Sequence, residues 1–412
     1  MSTATYDWLQ LPGGPRLAVA TVPDAECAAL SIYVPAGSRD EAALPAGLAH
    51  FVEHMVFKGT ARRSARELSF EIENAGGQLN AGTTEDHTVY EGRGEADLLP
   101  VLADVLTDMV WHAAFPESEI ALEREVIGEE ITMYRENPSD HIGDLVSAAL
   151  WGSHPLGNPI SGTAESIQAI DRKTLLEFRD RHHFRDDLVI AAAGPFRLAE
   201  VRGLIEPVLP ARFHPARHPV PFEPASAPPR HVTDERDSDQ LQLALAWHTP
   251  GRQHPLRHAL RLLSLMLGES ASSRLFLELR EERGLCYHIA SDVTLFEETG
   301  AFEISAGLDP EARDEALACI HREIADLSAH GPRPGELDRA KRLVIAQSKL
   351  AFEATAAHAA WAGEGLLDFQ QIPEVSTWRG HIQGVTDTAI REAAALIFHQ
   401  QPFAHAEIGA LG

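Results

Sequence analysis

Three residues in the stretch GLAHFVEHMVFKGT, residues 47–60, could do chemistry together: His50, Glu53 and His54. On a helix they occupy positions i, i+3 and i+4 and share one face. Two neutral imidazoles so placed can reach one tetrahedral ion, with the carboxylate beside them. Zinc accepts histidine nitrogen and carboxylate oxygen, and a catalytic zinc keeps one position for water. Binding lowers the pKa of that water to about 7. A carboxylate that does not bind the metal can take the proton and later return it. HxxEH presents these parts in the reverse order to HExxH. The surrounding Phe51, Val52, Met55, Val56 and Phe57 equally allow core histidines beside an exposed glutamate. A third ligand must decide.

SEIALEREVIGEEITMYRENP, residues 118–138, offers one. Glu123 and Glu130 are seven apart, two turns along one helix face. Glu125 and Glu129 lie on another side and read as solvated surface, with Val126 and Ile127 between as apolar anchors. His254 and His258 are also four apart but lack a neighbouring carboxylate. Cys286 has no convincing histidine base, and neither GxSxG nor a P-loop occurs.

The elements that must position these residues are legible as a pattern stated twice. Residues 206–230 carry eight prolines, which suits an extended connector. It separates a first domain, residues 1–205, from a second, residues 231–412. Each runs strand, helix, helix, strands and long helices. In the first, a helix over about 45–57 is followed by SARELSFEIENAGG, whose glycines suit a helix end, and by strands around LNAGTTEDHTVYEGRG. In the second, QLQLALAWHTP alternates as a strand and precedes LRHALRLLSLMLGE and SSRLFLELREERG. The pattern predicts an α+β fold of two homologous domains, each an antiparallel sheet covered by helices. Aligning Met55 with Met266 sets Arg261, Ser264 and Leu265 opposite His50, Glu53 and His54. Only the first half carries the polar trio.

The 412 residues are 44% hydrophobic and 23% charged, ordinary for a globular chain. The formal charge of −26 argues against nucleic acid and anionic lipid as partners. It is compatible with steering cationic ligands into an acidic cleft, and also with a solubility charge on a solvated surface. Three scattered cysteines form no disulfide framework, and the N-terminus does not read as a signal peptide. No run of about 18 apolar residues suggests a membrane span. A cytoplasmic protein is expected.

HxxEH followed by EREVIGEEI resembles the inverted-zincin peptidases, the family of pitrilysin, insulin-degrading enzyme and mitochondrial processing peptidase. The resemblance is greatest to the short bacterial processing-peptidase-like members. It implies Zn²⁺ held by His50, His54 and Glu130, with Glu53 as general base and Glu123 supporting a ligand from behind. It implies that Asn80 and Ala81, in GGQLNAGTTEDHTVY, lie on a substrate-binding edge strand. HPLGNPISGTAESI, residues 154–167, is similar to a further family segment. SSRLFLELREERGLCY resembles the distal Arg–Tyr element, which maps to Arg280 and Tyr287 as donors to the substrate carbonyl or oxyanion. The implied activity is that of a zinc-dependent endopeptidase or oligopeptidase acting on peptides or unfolded polypeptides in an enclosed chamber. Family members with four homologous domains close two halves around that chamber. This chain has half that content, a half-clamshell. The resemblance therefore implies a homodimer whose active sites are completed in trans. The alternatives are a non-catalytic peptide-binding or scaffold member of the same fold, and a zinc hydrolase of a non-peptide amide.

Overall fold

The computed structural model describes residues 4–216, 221–222, 230–399 and 403–410. Much of the proline-rich connector, residues 217–220 and 223–229, lies outside the described residues. Among the described residues, no helix is long and apolar enough to cross a membrane.

Two sheets organise the chain. The first contains β1 (Thr5–Gln10), β2 (Arg16–Thr21), β3 (Cys27–Val34), β4 (Gln78–Thr83), β5 (Thr88–Glu95) and β6 (Val189–Gly194) in the order β1-β2-β6-β3-β5-β4. The second contains β7 (His231–Glu235), β8 (Leu241–Pro250), β9 (Cys286–Leu295), β10 (Thr299–Leu308) and β11 (Ala404–Gly409) in the order β7-β11-β8-β10-β9. Removing β1 leaves the same order in both, with the last strand of each half inserted second from the edge. The expectation of purely antiparallel sheets needs correction. β2 runs parallel to β6 and β7 runs parallel to β11, while the other pairs are antiparallel. A parallel pair needs a long crossover. Both halves have one, because several helices intervene before the inserted strand returns.

The helices that matter for the site belong to the first half. They are α1 (Leu48–Val56), α2 (Ala65–Glu73), α3 (Leu99–His112), α4 (Glu117–Glu136) and α5 (Pro138–Trp151). Six apolar residues of α1 are buried: Leu48, Ala49, Phe51, Val52, Met55 and Val56. They join β3, β5 and α3 in one core with Leu30, Ile32, Tyr90 and Leu102. Ser64 caps α2 in a capping box with Glu67, and Gly76 follows α2 with φ +74°. The equivalent of α1 in the second half, Arg257–Leu267, buries Ser264 and Leu265 where α1 has Glu53 and His54.

The packing does not follow the linear division at residues 206–230. One compact unit comprises residues 1–131, 159–220 and 350–373; the other comprises 132–158, 221–349 and 374–412. The helix Thr355–Phe369, from the second half of the sequence, covers the first sheet. Its Ala362 and Leu366 pack against Ala18, Tyr33, Val189 and Ala191. In the other unit α5 covers the second sheet, with Val146, Ala149, Leu150 and Trp151 against Ala244, Ala246, Ala406 and Ile408. Each half thus contributes one helix to the other half's sheet.

Candidate metal centre

The buried apolar face of α1 turns His50, Glu53 and His54 outward together, each only partly buried. α4 is sorted by the same logic. Ile120, Glu123 and Ile127 are buried, Glu130 is partly buried, and Glu125 and Glu129 are exposed.

The two helices bring three ligand atoms together. His50 Nε2 and His54 Nε2 are 3.2 Å apart, and Glu130 Oε2 lies 3.9 and 3.7 Å from them. Two nitrogens bound at about 2.0–2.1 Å to a tetrahedral ion would be about 3.3 Å apart. The histidine pair therefore already has the required separation. Two nitrogens and one carboxylate oxygen form the donor set of a catalytic zinc site with one position left for water. The residues fit the ion that the motif implies.

The surroundings favour the ligating forms. Burial first, and the adjacent His54 second, push the His50 imidazole down to about 4. It is therefore neutral near pH 7 and has a lone pair to give. Glu123 Oε1 lies 2.8 Å from His54 Nδ1. A carboxylate only accepts, so His54 donates at Nδ1 and its Nε2 lone pair is left facing the site. Lys58 pairs with the other oxygen of Glu123. Burial pushes the Glu123 carboxyl up, but the bonds from His54 and Lys58 outweigh it and hold it below its ordinary value. Glu53 is placed differently. Burial raises its pKa, while a 2.6 Å hydrogen bond from the Thr83 hydroxyl to Oε2 opposes the rise.

Thr83 and Lys58 are missing from the sequence reading. Lys58 lies four residues after His54, a spacing that shares a helix face. Thr83 lies 30 residues from Glu53 and reaches it only through the hairpin, so no local spacing points to it.

The remaining expected residues lie on other elements. Asn80 and Ala81 lie on β4, the edge strand of the first sheet. Asn80 is exposed and donates to Glu91, and Ala81 packs against the core. Arg280 and Tyr287 belong to the other unit. Arg280 is exposed, in a π-helix over Phe276–Glu282, and stacks over Phe276. Tyr287 is 60% exposed at the start of β9.

One other group among the described residues gathers three potential ligands: His231, His405 and Glu407. Its imidazoles are stacked 15° from parallel. Their in-plane lone pairs run side by side instead of converging. Arg313 engages both oxygens of Glu407. This is an ion-pair cluster.

Comparison with known proteins places the chain in a family. Residues 16–164 match the family model described as insulinase (peptidase family M16), and residues 169–344 match the one described as peptidase M16 inactive domain. The half with the trio and the half without it are thus separated by the family models as well. A Mycobacterium tuberculosis protein carrying the name "uncharacterized zinc protease" is 36% identical over 329 residues, spanning 79% of this chain and 74% of the relative. The Bacillus subtilis "uncharacterized zinc protease YmxG" is 30% identical and spans 83% of each. Among solved structures, a protease from Helicobacter pylori matches with a TM-score of 0.91 at 20% identity, covering 98% of this chain and 99% of that one. A peptidase M16 inactive domain from Pseudomonas fluorescens matches with a TM-score of 0.86 at 21% identity, covering 98% of both. The chain belongs to the insulinase family, peptidase family M16.

Proposed function

We propose that this protein is a zinc-dependent endopeptidase or oligopeptidase, with its metal held by His50, His54 and Glu130. The observation that carries the reading is the convergence of His50 Nε2, His54 Nε2 and Glu130 Oε2 on one point beside Glu53. When bound, the zinc ion supplies a Lewis acid that polarises the scissile carbonyl and lowers the pKa of a water. Thr83 holds Glu53 Oε2, and the carboxylate, oriented in this way, takes a proton from the attacking water. Glu53 then returns this proton to the leaving amine nitrogen. Burial raises the pKa of Glu53 in the metal-free protein, and a partly buried carboxylate beside the water's position suits both transfers. An extended peptide adds to edge strand β4 along Asn80 and Ala81, through main-chain hydrogen bonds that do not read sequence. The net charge of −26 favours basic peptides.

Cleavage of a mixed peptide library tests the chemistry. Glu53→Gln should keep zinc and lose about 10²–10⁴-fold in kcat, and a chelator should abolish wild-type cleavage. Equal cleavage by wild type and Glu53→Gln would sink the mechanism. The assembly we propose is a homodimer, in which Arg280 and Tyr287 of a second copy complete each site. Mixing Glu53→Gln chains with Arg280→Ala chains should then restore part of the activity. No recovery, with mixed dimers shown to form, would refute assembly in trans.

A further inference from the structure

The first turn of α1 has an unusual cap. Helix-initial amides have no partner within the helix, and the residue before Leu48 is Gly47, which has no side chain to offer. Glu41 supplies the acceptors from six residues upstream. Its Oε2 accepts from Gly47 N at 3.0 Å and its Oε1 from Ala49 N at 2.8 Å. Ala49 immediately precedes His50. Glu41 is 1% exposed, so neither oxygen has water as an alternative.

The tight turn Ser38–Glu41 that carries Glu41 is itself tied down. Ser38 N donates to Thr84 O and Arg39 N donates to Glu85 O, each at 3.1 Å. Arg39 also pairs with Asp86 at 2.8 Å. These three acceptors form the loop between β4 and β5, directly after Thr83. One turn therefore grips both the helix that carries Glu53 and the hairpin that carries its hydroxyl partner.

A second contact closes on the same helix start. Gly47 has φ +89°, and a Cβ there would sit 2.6 Å from Ser161 O. Gly162 has φ +78°, and a Cβ there would sit 2.4 Å from Ala46 O. Ser166 Oγ donates to Ala46 O at 2.7 Å. The segment 154–167, conspicuous in the sequence and unused by the chemistry, thus packs backbone to backbone against the approach to α1.

We infer that Glu41 is a positioning residue for the metal centre. Its buried carboxyl group sets where α1 begins and how it is rotated, and so fixes His50, His54 and the Glu53–Thr83 contact, with Ser166 steadying the same turn from the other side. The inference rests on the zinc reading above. Glutamate places two oxygens in this geometry, one against each amide. Glutamine offers one, and its NH₂ group would confront an amide N–H. A supporting partner outside the ligand set commonly affects metal affinity by about 10–100-fold.

The test compares wild type, Glu41→Gln and Ser166→Ala by zinc competition with a chelator, by the visible d–d spectrum of the cobalt(II)-loaded proteins, and by the metal-free melting temperature. Glu41→Gln should bind zinc about tenfold more weakly and show altered cobalt bands. It should lose kcat more than KM. Ser166→Ala should move the same readouts in the same direction by less. The metal-free melting temperature should fall in Glu41→Gln, where a buried amide N–H loses its acceptor, but by less than accounts for the loss of zinc affinity. Unchanged zinc affinity and cobalt spectrum in Glu41→Gln would overturn the inference. If Glu41→Gln does not fold, an unchanged cobalt spectrum in Ser166→Ala would overturn it. Affinity that falls only in step with melting temperature would also overturn it, as that is a merely structural role. Wild type that binds no zinc would instead overturn the proposed function, so the two failures are separable.

Discussion

Glu53 takes its character chiefly from burial and from Thr83, with His54 and Glu130 acting in opposite directions beside them. Burial favours its protonated form, and the Thr83 hydroxyl, 2.6 Å from Oε2, favours the carboxylate. Removing that hydroxyl takes away the largest influence opposing burial and leaves only His54 and the Thr83 amide against it, so Glu53 in Thr83→Val should be more basic still. The base is inactive when protonated, so the acid limb of kcat/KM follows its pKa. That limb should move to higher pH in Thr83→Val, and kcat on the plateau should fall as Glu53 loses its restraint. A pH–rate profile checks both, and an acid limb that stays in place would show that the hydroxyl does not act on Glu53. At this scale the sequence is readable wherever chemistry is local. His50, Glu53 and His54 announce themselves because three and four residues make one helix face. Glu130 could be separated from Glu129 only by face, and the burial of Ile120, Glu123 and Ile127 agrees with that sorting. Thr83 and Glu41 were unreadable, because each reaches α1 through a turn whose path depends on the sheet.

The helices around the site were legible for the same reason: their apolar residues recur with helical period, and α2 carries a capping box. α1, α2 and α4 fall where the pattern places them, and the hairpin β4–β5 spans its turn residues. Two features were not legible. VIAAAG, which forms β6, reads as a short apolar strand, and nothing local tells that it inserts between β2 and β3 parallel to one and antiparallel to the other. FLELREE reads as an ordinary helix, yet it forms a π-helix with Leu279 as its buried anchor. Such widened turns often occur at functional positions, and this one carries Arg280. Packing between elements shows why small residues were written where they are. The outer face of the first sheet offers Ala18, Ala20, Ala29, Ala191 and Ala193, so the helix Thr355–Phe369 can lie close. Gly363 is the point of tightest approach, where any Cβ would meet the Tyr33 ring at 2.2 Å.

The exchange of helices between the halves has a consequence for the whole chain. A division at the proline-rich connector, natural from the sequence, would cut between units that are not contiguous in sequence. A fragment of residues 1–205 keeps every proposed zinc ligand but loses the helix that covers Ala18, Tyr33, Val189 and Ala191. It also keeps α5 without the second sheet, leaving Ile142, Val146, Ala149, Leu150 and Trp151 unpartnered. Burying a large aliphatic or aromatic side chain contributes about 1.5–3 kcal/mol. The apolar residues of α5 alone then represent on the order of 10 kcal/mol, comparable to the whole stability of an ordinary domain. The fragment should therefore aggregate or bind a hydrophobic dye, and should not melt cooperatively when made alone. Made together with residues 206–412 it should become soluble, melt cooperatively and bind zinc, because each piece then regains the helix it lacks. Calorimetry and zinc titration on the single and paired fragments check this. A fragment of residues 1–205 that is monomeric and melts like the intact chain would show that the exchanged helices are dispensable, and that the linear boundary is the physical one.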